Sequence, residues 1–408
     1  MKIGMVLPWF PSHISNEKIL AIFYYRQSKK LIEMGHEIFV MTVQRPNMPK
    51  FEIMDEISVY RFPAHSITKI GYDIPHFKNL THTIKKVYTA HKLDIIEFST
   101  QDFLTSLPVL NIKKWTDVPI IVTVNGLPGI SWFSGNGAID SIGYFYTHLI
   151  GRRIIKSADG IRSLSSSLYN DFMKFGIDRE RIRTIHRGVD TEIFYPTNEK
   201  SEIRDELRIH PDDFFILFVG RLIRMKGVEY LLNAIKDLIH EHKNIKLIIL
   251  GDGEARSQYE NLVKSIKDNV QFIGRRSDVY RYMRTADVVV LPSLCEGCPN
   301  VVLEAMACGT PVIANRVGAV PDIIENGKSG IIVDPKNIEE LKNALVKLII
   351  DRNFAEKIGY NGRKRIEKDF TWSAICKKLE RFYSDIIEIE NDNLPINPAF
   401  EELIQSIR

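Results

Sequence analysis

Short runs of Val, Ile, Leu and Phe alternate along the whole chain with longer stretches whose apolar residues recur every three or four positions. Runs at 3–7, 37–42, 57–62, 94–98, 119–124 and 160–163 predict strands in the first half. Runs at 214–219, 246–250, 270–273, 288–291, 311–314 and 330–333 predict strands in the second half. Helical spacing lies between them, at 18–33, 75–91, 141–157, 228–242, 338–350 and 354–369. Strands alternating with helices predict an α/β protein with parallel sheets covered on both faces. Runs that are apolar at every position predict strands buried on both sides.

The stretch 194–211 is polar, holds Pro196 and Pro211, and separates the two halves. The expected division is a first domain over 1–195, a second over 196–370, and C-terminal helices over 371–408. In the helix expected at 372–390, Ile375, Leu379, Phe382 and Ile386 share one face and need a surface to pack on; the first domain is the candidate. The tail, 391–408, reads as a short extra helix after a proline-interrupted linker. A length of 408 residues suits two domains at about 100–200 residues each.

Composition changes the picture little. Hydrophobic content of 44% and charged content of 26% are ordinary for a globular enzyme and argue against disorder. No run approaches the ~18 apolar residues of a membrane-spanning helix, and no secretory signal opens the chain, so a cytoplasmic protein is expected. Residues 1–195 carry 24 Lys and Arg against 18 Asp and Glu, or +6, while the remainder carries 31 against 33, or −2. That is solvated surface, or a first half facing an anionic membrane or acceptor. Four cysteines are too few for a disulfide scaffold, and Cys295-x-x-Cys298 has no second pair or nearby His to complete a metal site. A packed small side chain is the expectation there, with an acidic Cys298 thiol at a helix N-terminus as the alternative.

The chemistry is concentrated in 214–314. Gly220 closes a buried run and is followed by Arg221 and Lys226, which places both at the carboxyl end of a parallel strand, where open α/β sheets bind ligands. Arg forks onto phosphate oxygens, and Lys adds a compact charge. Further on, Cys298-Pro299-Asn300-Val301-Val302 opens a helix. Pro299 suits a first helical position, and the amides that follow would be free to bind an anion. Glu296 precedes this terminus, and Glu304 lies about a turn inside it. Carboxylates accept hydrogen bonds from hydroxyl pairs. Two cations, two carboxylates and a helix N-terminus suit a diphosphate with hydroxyl-rich groups at both ends, such as a sugar nucleotide. Gly251-Asp252-Gly253 is a weaker signal, since such turns commonly just close a βα unit.

These residues resemble the retaining glycosyltransferases of family 4, with the GT-B fold of two Rossmann-like doubly wound domains facing a cleft. The matching stretches are HRGVD-x3-F (His186 to Phe194), FVGRL-x3-KG, GDGE, and Glu296-x7-Glu304 with PNVVLEAMACGTPVIA. They cover roughly 180–335. The resemblance implies that Gly220, Arg221 and Lys226 lie at the donor diphosphate, that Glu296 bonds the donor sugar and that Glu304 bonds the ribose. It puts the amides of Asn300, Val301 and Val302, beside Cys298 and Pro299, at the phosphates, and Gly274, Arg275 and Arg276 near the base. It implies no metal or other cofactor; the donor would be a UDP-, GDP- or ADP-sugar. In the first half, LIEMGHEIFVMT resembles the family's first helix and second strand. Asn16, Glu17, Lys18 and Ile19 stand where the family usually has a glycine pair, and Asn125-Gly126 where it usually has His-Gly. An amide donates a hydrogen bond but carries no proton, so position 125 reads as sugar- or acceptor-proximal, or as a plain turn.

The implied reaction is sugar transfer to an acceptor hydroxyl with retention, the acceptor being a glycan, glycolipid or lipid-linked saccharide bound by the first domain. No nucleic-acid partner is expected. Aromatics and cations interleave at 143–153 and 75–92; both read as ordinary helices packed on the sheet, with membrane contact as the alternative. Two rivals share the architecture: a sugar-nucleotide epimerase or phosphorylase, and a non-catalytic subunit that binds a sugar nucleotide.

Overall fold

The computed structural model describes residues 1–12, 19–67, 72–99, 104–133, 135–197 and 201–393. Its first sheet is built from β1 (Lys2–Leu7), β2 (Glu37–Val43), β3 (Phe51–Met54) and β4 (Ile57–Phe62). After a separate antiparallel pair, β5 (Ala64–Ile67) and β6 (Tyr72–Pro75), it adds β7 (Ile95–Ser99), β8 (Ile120–Val124), β9 (Gly160–Ser163) and β10 (Ile182–Thr184). The order across the sheet is β10-β9-β8-β7-β1-β2-β4-β3, parallel except for β3 on β4. The second sheet comprises β11 (Phe214–Val219), β12 (Ile245–Leu250), β13 (Val270–Gly274), β14 (Val288–Leu291), β15 (Val312–Asn315) and β16 (Ile331–Val333). It runs β13-β12-β11-β14-β15-β16 and is parallel throughout. The strand order reverses at β1/β7 in one sheet and at β11/β14 in the other, and such reversals open the crevices where α/β proteins hold ligands.

All twelve strand runs read from the sequence are strands, each within one residue at either end. Their centres are buried, as continuous apolar runs require, except in the edge strand β13, where only Val270 is buried. The sequence reading missed β3, β5, β6 and β10. In β3 the large side chains face solvent, with Phe51 48% and Ile53 68% exposed, so it carries no core pattern. Pro75 belongs to β6, so the helix expected from 75 begins at Phe77, with His76 as its cap. The helix expected at 141–157 begins earlier, at Gly137, and widens into a π turn over Thr147–Gly151 before Arg152–Ser157. The helix expected at 228–242 stops at Leu238. The helix expected from 18 is described as Ile19–Glu33. The readings at Asn16, Glu17 and Lys18, and of the tail from 394, lie outside the described residues.

The last helix, Trp372–Asn393, lies against the first sheet's side of the molecule. Its Phe382 and Ile386 pack on the backbone at Gly160. Tyr383 Oη donates to the buried Glu97 carboxylate, and His36 Nε2 pairs with Glu380 at 3.0 Å. Glu97 also accepts from Thr123 Oγ1 and, at 3.2 Å, from the fully buried Arg162. A buried charge is tolerated only when paired and hydrogen-bonded. Arg162 meets that condition with further bonds to Gln27 Oε1 (2.9 Å) and to the carbonyls of Ile185 and His186 (3.2 Å each). This network fixes the segment that carries His186 and Arg187.

Candidate functional site

The site grows out of the β11/β14 reversal. The loops that leave these neighbouring strands run side by side. Gly227, at φ +59°, lets them touch: a Cβ there would sit 2.1 Å from the Pro292 carbonyl oxygen. Lys226 is thereby carried to the loop after β14, and its Nζ lies 2.5 Å from Glu296 Oε1. The two side chains are 20% and 12% exposed. Gly220 ends β11 with its amide on the Leu250 carbonyl, and Arg221 follows it as an exposed side chain with no partner among the described residues.

Glu296 leads through Gly297 to the helix Asn300–Ala307. Pro299 is the cap of this helix (φ −75°, ψ 110°), not its first residue as the sequence suggested. The Val302 amide already bonds the Pro299 carbonyl at 3.2 Å, so the free amides are those of Asn300 and Val301, fewer than expected. A turn deeper, Glu304 is half-buried, and among the described residues its carboxylate has no partner. Burial pushes its pKa up to about 7.

Gly274, Arg275 and Arg276 sit at the end of β13. The Gly274 carbonyl accepts from the Gly251 amide at 2.8 Å, which ties this turn to the GDG turn. Arg275 is exposed, whereas Arg276 forks onto Asp278 at 2.9 Å through both Nε and Nη2 and is already committed. Burial raises the thiol pKa of both Cys295 and Cys298 and lifts Cys308 to about 12, so a packed Cys298 is observed rather than an acidic one. Among the described residues no group of three or more His, Cys, Asp or Glu is gathered for a metal.

The first sheet's side closes over this surface. Gly297 lies so near Asn125 that a Cβ would be 2.4 Å from the Asn125 carbonyl oxygen. Asn125, with Gly126 after it, follows β8. Between the two sides lies a cavity of about 180 Å³, with Asn125, Phe133 and Ser165 on one wall and Cys295, Glu296 and Gly318 on the other.

Two contributors escaped the sequence reading. Arg187 reaches Asn125 Oδ1 and Asn300 Oδ1 at 3.4 Å each and lies 4.9 Å from the Phe23 ring centre, so a guanidinium joins the two sides at the helix terminus. Its only signal was its place inside HRGVD. Asp322 accepts from the Ser166 amide (2.8 Å), the Ser166 hydroxyl and His186 Nε2 (3.1 Å). Burial alone would raise the Asp322 carboxyl, but these bonds hold it below the usual range.

Two family models match this chain. Residues 199–365 match the model of glycosyl transferases group 1, and residues 20–193 that of Glycosyltransferase Family 4. The capsular polysaccharide biosynthesis glycosyltransferase CapM of Staphylococcus aureus is 30% identical over 342 residues, 82% of this chain and 88% of CapM. Sucrose-phosphate synthase from Thermosynechococcus elongatus superposes with a TM-score of 0.78 at 23% identity, over 95% of this chain and 99% of that one. Anabaena HepE, solved in complex with UDP, superposes with a TM-score of 0.73 at 19% identity, over 94% and 100%. With both halves matched and the likeness to CapM sustained along most of each chain, this protein belongs to the group 1 glycosyltransferases, enzymes that transfer sugars, on the GT-B architecture.

Proposed function

We propose that the protein moves a sugar, with retention at the anomeric carbon, from a nucleoside diphosphate sugar to an acceptor hydroxyl. One observation carries the reading: Lys226 and Glu296 meet at the strand-order reversal, near the amides of Asn300 and Val301 and the carboxylate of Glu304, which have no partner among the described residues. Arg221 and Lys226 hold the diphosphate, the two amides bind its oxygens, Glu296 bonds the sugar and Glu304 the ribose. The Lys226–Glu296 pair is then a resting contact. The incoming diphosphate takes over the ammonium and frees Glu296 to accept from sugar hydroxyls.

In the reaction, the bond from the anomeric carbon to the β-phosphate oxygen breaks. The acceptor oxygen bonds that carbon on the same face, and its proton passes to the departing phosphate. Cations placed where charge develops lower the barrier. The two sides part to admit the donor and close again over it to exclude water. The likeness to CapM supports a glycan acceptor, and the UDP in HepE makes uridine the first base to test. Four free cysteines suit the cytoplasm.

The test measures nucleoside diphosphate release from UDP-, GDP- and ADP-sugars across a panel of saccharide acceptors, with product configuration read by NMR. Arg221→Ala and Lys226→Ala should each slow release about a hundredfold, or ~3 kcal/mol. The product should keep the donor's anomeric configuration. Near-normal turnover in both variants, or an inverted product, contradicts the proposal.

A further inference from the structure

The helix Gly137–Tyr146 and the π turn after it leave an apolar face uncovered. Asn136 caps the helix, its side chain accepting from the amides of Ala138 and Ile139 at 3.1 and 3.4 Å. The side facing the protein holds Gly143 and Thr147, with Tyr146 and Ile150 packed on the first domain's core. Gly143 lies against Pro128, and the buried Thr147 donates to the Pro128 carbonyl at 2.9 Å. The side facing solvent is apolar: Ile139 is 54% exposed, Ile142 70%, Phe145 63% and Leu149 63%. At 3.6 residues per turn the three in the α-helix fall within an arc of about 120°, and Leu149 follows in the π turn. None of the residues of Gly137–Tyr146 is buried.

The other helix with interleaved cations behaves conventionally. Phe77–His91 buries Leu80, Ile84 and Val87 on the first sheet, as the sequence led us to expect, and turns its lysines outward. The uncovered apolar face at 137–149 is therefore local, and exposed apolar surface of this kind marks an interaction site.

Charge and position select the partner. Over 137–157 the chain carries Arg152, Arg153 and Lys156 against one acid, Asp140. Arg153 and Lys156 are exposed and form no ion pair among the described residues. An apolar helix face flanked by basic residues is the pattern of a helix lying in the headgroup layer of an anionic bilayer. No described helix is long and apolar enough to cross one, so the contact is to its surface. The patch also runs into the cleft: Phe133, which lines the cavity, and Trp132 before it are each 42% exposed.

We propose that the outward face of Ile139, Ile142, Phe145 and Leu149, with Arg153 and Lys156 beyond it, docks the protein on an anionic membrane surface and so presents the cleft to an acceptor held in that membrane. The acceptor clause rests on the transfer reading above; the docking does not.

Cosedimentation of the full chain with vesicles, without donor, tests the docking alone. Phosphatidylcholine vesicles are compared with vesicles also containing phosphatidylglycerol. The wild type should bind the anionic vesicles at least tenfold more tightly, and added salt should weaken that binding. Phe145→Ser with Leu149→Ser should lose binding to both by tenfold or more. Arg153→Gln with Lys156→Gln should lose only the anionic preference. All these side chains are solvent-facing, so melting temperatures should match the wild type. Equal sedimentation of the wild type and the Phe145→Ser, Leu149→Ser variant overturns the proposal, as does no wild-type binding. So does a wild-type dimer in sedimentation velocity that the same variant dissociates, which would assign the face to a second copy of the chain.

Discussion

Glu304 shows what a single side chain contributes and costs. Its carboxyl titrates at about 7 in the fold against 4.5 in the unfolded chain, because burial disfavours the anion. Between those pH values the folded state binds more protons than the unfolded state. Stability therefore falls as pH rises through that window, and the full cost, at most about 3 kcal/mol, stands above pH 7. Glu304→Gln removes the buried charge. It should raise the melting temperature at pH 8, leave it nearly unchanged near pH 4, and weaken nucleotide binding at pH 8. Melts at the two pH values with a calorimetric titration check this; a variant that melts lower at pH 8 contradicts it. The sequence marked Glu304 by its spacing from Glu296, but its burial and raised pKa depend on helix packing that spacing does not encode. Arg187 went unread for the opposite reason: an arginine in a loop carries no signal until Asn125 and Asn300, far apart in sequence, are brought to it.

At the scale of elements, the buried strands were legible because a strand covered on both faces must be apolar at every position. The edge strand β3 and the β5–β6 pair were not, since neither is covered that way. The helix at Asn300–Ala307 was placed from its proline and its apolar run. Its true first residue came only with the backbone angles of Pro299, and that shift reduced the free amides to two. The approach of the β14 loop to the β8 loop was invisible in sequence and is set by Gly297. A methyl there meets a backbone oxygen at 2.4 Å, which cannot rotate away, so the two sides must separate. Gly297→Ala should lower kcat by at least about tenfold, or ~1.4 kcal/mol, with little change in melting temperature or nucleotide affinity. Steady-state kinetics on both proteins check this, and an unchanged kcat would mean that close approach of the two sides is not used.

For the whole molecule, the helical spacing of Ile375, Leu379, Phe382 and Ile386 declared a face in need of a partner. Its destination is set by polar groups the spacing does not reveal, Tyr383 on Glu97 and Glu380 on His36. Among the described residues, direct polar bonds between the two sides include Asp322 to Ser166 and His186, Cys295 to the Ser131 carbonyl, and Arg187 to Asn125 and Asn300. Opening and closing of this seam would accompany donor entry and release. The grip on the diphosphate is the central claim, since retention, closure and the resting Lys226–Glu296 pair all presuppose it. Its most direct test is a thermal-shift titration of UDP, GDP and ADP against the wild type, Arg221→Ala and Lys226→Ala. Ligand that binds only the folded state raises stability in proportion to the logarithm of its concentration. At least one nucleoside diphosphate should raise the wild-type melting temperature in a concentration-dependent way, and both variants should lose most of that rise. No shift with any of the three, or a shift undiminished in both variants, would contradict the account.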